Sequence, residues 1–99
     1  MRVIERSFAL DHPTAAGHFP GNPIIPGALL LSETLRAIEQ SLGLDLSRGQ
    51  PLSAKFLHPV RPGDTISIEF SEGRSGSIRF TCAVGATSVL SGTVTREAL

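Results

Sequence analysis

The chain has 99 residues, 40% of them hydrophobic and 18% charged, enough for one hydrophobic core and outside the range of disordered chains. Nine basic residues balance nine acidic ones, so no net field draws the protein to nucleic acid or to an anionic membrane. The single cysteine, Cys82, excludes an internal disulfide framework and makes a reducing cytoplasm the expected compartment.

Arg2 to Leu10 (RVIERSFAL) reads as a first strand, with Val3, Phe8 and Leu10 as its expected buried members and a bulge near Arg6. Arg2, Glu5 and Arg6 interrupt any apolar leader, so no secretory signal is expected. Asp11 to Pro26 then carries Pro13, Pro20, Pro23 and Pro26. Each proline fixes its own φ and pushes the preceding residue toward extended geometry. A long loop stiffened in this way points to function rather than slack.

Gly27 to about Leu42 is the one convincing helix. Leu31, Leu35, Ile38 and Leu42 recur at helical spacing, Arg36, Glu39 and Gln40 are expected to face water, and Gly43 is a natural stop. Its first turn, Ala28 to Leu31, is apolar all round, which predicts burial on every side at this end. This run is also the longest apolar one, far too short to span a bilayer.

The remainder alternates with period two. Leu52 to Leu57, Thr65 to Ser71, Ser77 to Val84 and Ser88 to Thr95 read as strands. Arg61 to Asp64, Glu72 to Gly76 and Gly85-Ala86 supply the turns, and short links favour antiparallel neighbours. Cys82 alternates with Ile78, Phe80 and Val84 and so reads as a packing residue. Thr93 and Thr95 read as the outward face of the last strand. No repeat, low-complexity tract or metal-ligand spacing stands out, so residues 1–99 read as one α+β domain: a curved antiparallel sheet of about five strands around one helix. Such a sheet leaves an edge strand and part of the helix under-protected, and an oligomer would cover both.

The chemistry concentrates in GHFPGNPIIPGALLLSE, Gly17 to Glu33. A helix start offers unpaired N–H groups and a partial positive charge, and histidine is the side chain suited to moving a proton near neutral pH. His18 precedes Gly27 by nine residues, with prolines limiting how far the two separate. Together they suit removal of a proton beside a carbonyl, the enolate-like oxygen being held by backbone N–H donors. A histidine that simply caps a turn fits the spacing as well, so both readings stay open at this point.

The same stretch strongly resembles the signature of the 3-hydroxyacyl-[acyl-carrier-protein] dehydratases, a hot-dog-fold family. The matching elements are His18-Phe19-Pro20-Gly21 and the Pro26-Gly27 pair that opens the helix. AKFLHPVRPGD, Ala54 to Asp64, is similar to the family's second landmark, a strand ending in a Pro-Val-x-Pro-Gly-Asp turn. The chain is compact, resembling the dehydratase-like proteins of specialised lipid or aryl-polyene pathways. The resemblance implies a hot-dog fold and a dimer whose sites draw on both subunits. It implies acyl thioester substrates on acyl carrier protein or coenzyme A, and neither metal nor cofactor. It further implies His18 as the base that removes the C2 proton and Gly27 N–H as the donor to the thioester oxygen. Phe19, Leu30 and Leu31 would line or support the acyl tunnel.

One family element is missing. The carboxylate that serves the departing hydroxyl should stand fourteen residues after the histidine, and Ser32 stands there instead. A serine hydroxyl is a poor proton donor, and Glu33 lies one step, about 100°, further round the helix. Three readings follow: a dehydratase in which Glu33, or a water on Ser32, substitutes; an acyl-thioester-binding subunit, in a homodimer or heterodimer, that does not dehydrate; and a hot-dog thioesterase. Glu33 has a plain structural alternative, an ion pair with Arg36. His12 is expected to shape the loop and His58 to be a partly exposed turn residue. Arg61, with Lys55 and Arg48, could meet an acidic carrier or a phosphate, or could be ordinary solubilising charge.

Overall fold

The computed structural model describes residues 2–9, 24–46, 51–73 and 76–95. The elements follow as β1 (Arg2–Ser7), α1 (Gly27–Leu42), β2 (Pro51–Phe56), β3 (Thr65–Glu72), β4 (Ser77–Val84) and β5 (Thr87–Thr95). The strands form one antiparallel sheet in the order β1-β3-β4-β5-β2, so β1 and β2 are its edges. Strand alternation sends Ile66, Ile68 and Phe70 of β3, Ile78, Phe80 and Cys82 of β4, and Leu90 and Val94 of β5 to one face, all buried. The helix covers that face with Leu30, Thr34, Ala37 and Ile38, at i, i+4, i+7 and i+8. Leu31, Leu35 and Leu42 flank this stripe, half-buried.

The first strand differs from its sequence reading. Register pairs Arg2 with Phe70, Ile4 with Ile68 and Arg6 with Ile66, so the even residues face the helix and Val3 is 59% exposed. Val3 is therefore not a core residue, because a shift of one residue in phase turns every side chain over. Arg2 and Arg6 use the inward positions to reach the far end of α1. Arg2 Nη1 donates to the Ser41 carbonyl at 3.0 Å, and Arg6 Nη2 to Gln40 Oε1 at 2.7 Å. The last helical turn has no basic residue of its own, so Arg2 supplies the cation that favours a helix C-terminus. Pairing runs unbroken through Arg6, with no bulge there. Phe8 is buried as expected, and Leu10 lies outside the described residues.

Gly43 stops the helix in the left-handed region, φ 67°. Its N–H and that of Leu44 both donate to the Glu39 carbonyl, at 2.8 and 3.2 Å. Glu39 is more than a water-facing residue, since its Oε2 also accepts the Leu46 N–H at 2.9 Å. The first turn also departs from expectation: Leu30 is buried, Leu29 and Leu31 are half-buried, and Ala28 is exposed. A helix laid on one sheet buries one stripe only, so the turn's remaining apolar surface is uncovered in the single chain.

The sheet departs from regularity at β2 and β5. β2 shifts register between Pro51 and Ser53, and the β4–β5 pair shifts between Cys82 and Ala83. Gly92 lies between Phe80 and Ala54 in the register. A Cβ there would collide with the Ser53 carbonyl oxygen and stand 2.8 Å from Phe80 Cζ. Glycine thus lets the edge strand and the aromatic ring close over β5.

Candidate functional site

The two sequence landmarks meet in space. Leu57 N–H donates to the Val89 carbonyl at 2.9 Å, which fixes the exit of β2 against β5. The turn that follows is stapled by Asp64, whose Oδ2 accepts the Arg61 N–H at 2.9 Å. It is tied to the end of β1 by Phe8 N–H to Asp64 O (3.0 Å) and Gly63 N–H to Phe8 O (2.7 Å). Ile25 N–H then donates to Val60 O at 2.7 Å. The turn after β2 therefore sets where the segment ahead of the helix runs, and so where α1 begins.

That beginning is chemically open. Pro26 takes the N-cap position with φ −57° and ψ 141°, no side chain among the described residues caps the helix, and the first turn has no acidic residue. The Pro26 carbonyl accepts from Leu29 and Leu30, both at 3.0 Å. The N–H groups of Gly27 and Ala28 have no acceptor among the described residues. A hollow of about 240 Å³ lies beside this end, lined by Ile24, Ile25, Gly27, Leu30, Phe56, Leu57, His58, Pro59 and Val60. Apolar walls beside an N–H donor, that of Gly27, with no acceptor among the described residues make a setting in which an oxyanion would be stabilised more strongly than in water.

Of the residues singled out from the sequence, Gly27 and Leu30 meet in this hollow. His18 and Phe19 lie outside the described residues, as do His12 and Arg48. Leu31 is half-buried beside the core and Ser32 is exposed; neither lines the hollow. Glu33 does not line it either, and its Oε1 stands 3.8 Å from Arg36 Nη1, the ion pair that the three-residue spacing allowed. Within one chain, then, the residues at and after the carboxylate position stand apart from the hollow. Lys55 and Arg61 separate too: Lys55 lies on the sheet face away from the helix with Arg79, Ser91 and Thr93, while Arg61 lines a hollow with Asp64 and Val84. They do not form one basic patch.

His58 is exposed, as expected of a turn residue, and among the described residues it is the only titratable one lining the hollow. Its Nδ1 lies 3.0 Å from the Ser88 carbonyl. A carbonyl only accepts, so this contact assigns the proton to Nδ1. Phe56, which the sequence marked only as a strand residue, is 52% exposed and rests on Gly27. The available signal was its place at the strand end, two residues before the His-Pro turn.

One helix laid across an antiparallel sheet of this strand order is a hot-dog fold, and solved structures agree. The dehydratase heterocomplex ApeI:P from Xenorhabdus doucetiae contains a chain that superposes with a TM-score of 0.76 at 19% identity, covering 94% of this chain and 83% of that one. A single-site mutant of the fluoroacetyl-CoA-specific thioesterase FlK superposes at 0.67 with 16% identity, covering 95% and 84%. The sequence is more specific. Residues 2–93 match the family model of the ApeI-like proteins, described as ApeI dehydratase, and the chain belongs to that family. It is 38% identical to the 3-hydroxyacyl-[acyl-carrier-protein] dehydratase FabZ of Chlamydia trachomatis serovar L2, over 70% of this chain and 52% of that protein. The FabZ of Latilactobacillus sakei is 34% identical over 68% and 53%. The chain spans about half the length of these curated relatives.

Proposed function

We propose that the chain dehydrates 3-hydroxyacyl thioesters to trans-2-enoyl thioesters. One observation carries the reading: an apolar hollow is lined by Gly27 at the helix start, whose N–H has no acceptor among the described residues, nine residues beyond His18. With the thioester carbonyl held by Gly27 N–H, the C2–H bond is weakened and His18 takes the proton. The electron pair left on C2 forms the C2–C3 double bond as the C3–O bond breaks. The departing hydroxyl takes a proton and leaves as water. His18, relaying it directly or through a water on Ser32, can return the proton it took, so the step balances. Phe19, Leu30 and Leu31 support the acyl chain.

Family membership and FabZ relatives named for acyl-carrier-protein substrates support a thioester carried on such a protein or on coenzyme A. A second subunit, identical or related, would cover the apolar surface left on the first helical turn. The buried, free Cys82 favours a reducing cytoplasm.

A second reading has its own observation. Ser32 replaces the family's carboxylate, and Glu33 is engaged with Arg36. A chain so equipped can bind an acyl thioester and leave the chemistry to a partner, and the structural relative ApeI:P is itself a heterocomplex. Hydrolysis, as in FlK, has fold likeness alone behind it. Incubation with 3-hydroxyacyl thioesters separates the three. Enoyl absorbance that disappears in His18→Ala supports dehydration. Turnover that arises only in Ser32→Asp supports the binding subunit, and thiol release without enoyl supports hydrolysis.

A further inference from the structure

Phe56 ends the edge strand β2, its backbone paired with Leu90 of β5. Its ring lies against the first residue of α1: Cε1, Cδ1 and Cζ stand 3.0, 3.2 and 3.3 Å from where a Cβ on Gly27 would be. The ring lines the hollow together with Leu30, yet 52% of Phe56 is exposed. It is thus no anchor of the core. An aromatic ring in this position does two things. It keeps water from the Gly27 N–H, which has no acceptor among the described residues, and it takes up space in which a chain bound at Gly27 would lie.

We propose that Phe56 is the specificity-determining residue of this hollow, its ring limiting the length of the acyl chain held beside Gly27. The inference rests on the thioester reading above and names the class of acyl group that site accepts. Bulk at one wall of an apolar site discriminates strongly, since a single methylene is worth about 10- to 200-fold.

The test uses the full chain, unreactive thioether analogues of a four-carbon and a ten-carbon 3-hydroxyacyl pantetheine, and calorimetric dissociation constants. In Phe56→Ala the ratio of affinities should move at least about tenfold toward the longer analogue. Phe56→Trp should move it the other way. Gly27→Ala, whose methyl would press on the ring, should weaken binding of both analogues, and adding Phe56→Ala should restore it. A ratio unchanged in both Phe56 variants overturns the proposal, as does wild-type protein that binds neither analogue. Sedimentation provides a second readout: a change in oligomer mass with the ratio unchanged would make the ring an assembly contact and overturn the proposal. Parallel turnover assays keep the two readings apart. A shifted ratio in a chain that never forms enoyl product upholds the role of Phe56 and removes the dehydration reading. Turnover with an unshifted ratio does the reverse.

Discussion

The Thr34 hydroxyl lies 3.4 Å from the Cys82 sulfur, in the middle of the contact between helix and sheet, with neither residue exposed. Thr34 Oγ1 also donates to the Leu30 carbonyl at 2.8 Å. Its one proton is therefore engaged along the helix, and the thiol acts as donor to the oxygen's lone pair. Burial raises the Cys82 thiol above its ordinary pKa. The sign follows: a thiol neutral in the folded state stabilises the fold below the ordinary thiol value of about 8.5. That stability falls away as pH rises through the value and toward the raised one. Denaturation midpoints should decline over this alkaline range, and in Cys82→Ala the decline should be shallower. A thiol reagent at neutral pH should label native protein only as fast as the protein opens.

Gly92 marks where the fold tolerates no side chain. The obstacle to a Cβ there is the Ser53 backbone carbonyl together with the Phe80 ring, and backbone cannot turn aside as a side chain can. Gly92→Ala should cost about 1–3 kcal/mol or more, read as a lower denaturant midpoint with the slope unchanged. The three atoms nearest a Cβ on Gly27 all belong to the half-exposed Phe56 ring, so Gly27→Ala should leave stability almost unaltered.

The arginines of β1 should matter through the helix's last turn. Arg2→Ala removes the 3.0 Å bond to the Ser41 carbonyl and Arg6→Ala the 2.7 Å bond to Gln40. Both bonds are exposed, so each loss should be about 0.5 kcal/mol and shrink in high salt. Hydrogen exchange should report it as faster opening of the amides near Leu42 and Gly43, with those near Leu30 unchanged.

What was legible in the sequence was what short-range physics decides. The helix ends where Gly43 can adopt a positive φ, and the later strands follow their alternation to within a residue or two at each end. Pairing order was not legible, since β2 lies beside β5 rather than beside β3, the next strand in the chain. That choice depends on distant partners. Val3 and Ile4 are both β-branched, so composition could not tell which faces inward; the register with β3 decides it. For the site, Gly27 could be read because the Pro26-Gly27 pair marks the helix start, whereas Leu30 is implied only by the family resemblance. Helical spacing picks out Leu31, Leu35, Ile38 and Leu42, of which Ile38 alone is buried. Phe56 was marked only by its place at the strand end, because its meeting with Gly27 is set by the turn after β2, which Val60 ties to Ile25 ahead of the helix.

That turn yields the last prediction. Asp64 acts twice: its carboxylate accepts the Arg61 N–H, and its carbonyl accepts the Phe8 N–H. Asp64→Ala keeps the carbonyl bond and removes the carboxylate one, at about 1 kcal/mol of stability. The functional effect should exceed the structural one. Val60, one residue before Arg61, holds Ile25 and through it the start of α1, so a looser turn lets Gly27 drift relative to Phe56. A misplacement of even an ångström is costly to chemistry that depends on alignment. Turnover of 3-hydroxyacyl thioesters in Asp64→Ala should fall about tenfold or more at temperatures where the protein stays folded. Asp64→Asn, which retains an acceptor oxygen, should recover most of it. If both variants lose activity only in step with their unfolding, the turn acts through stability alone.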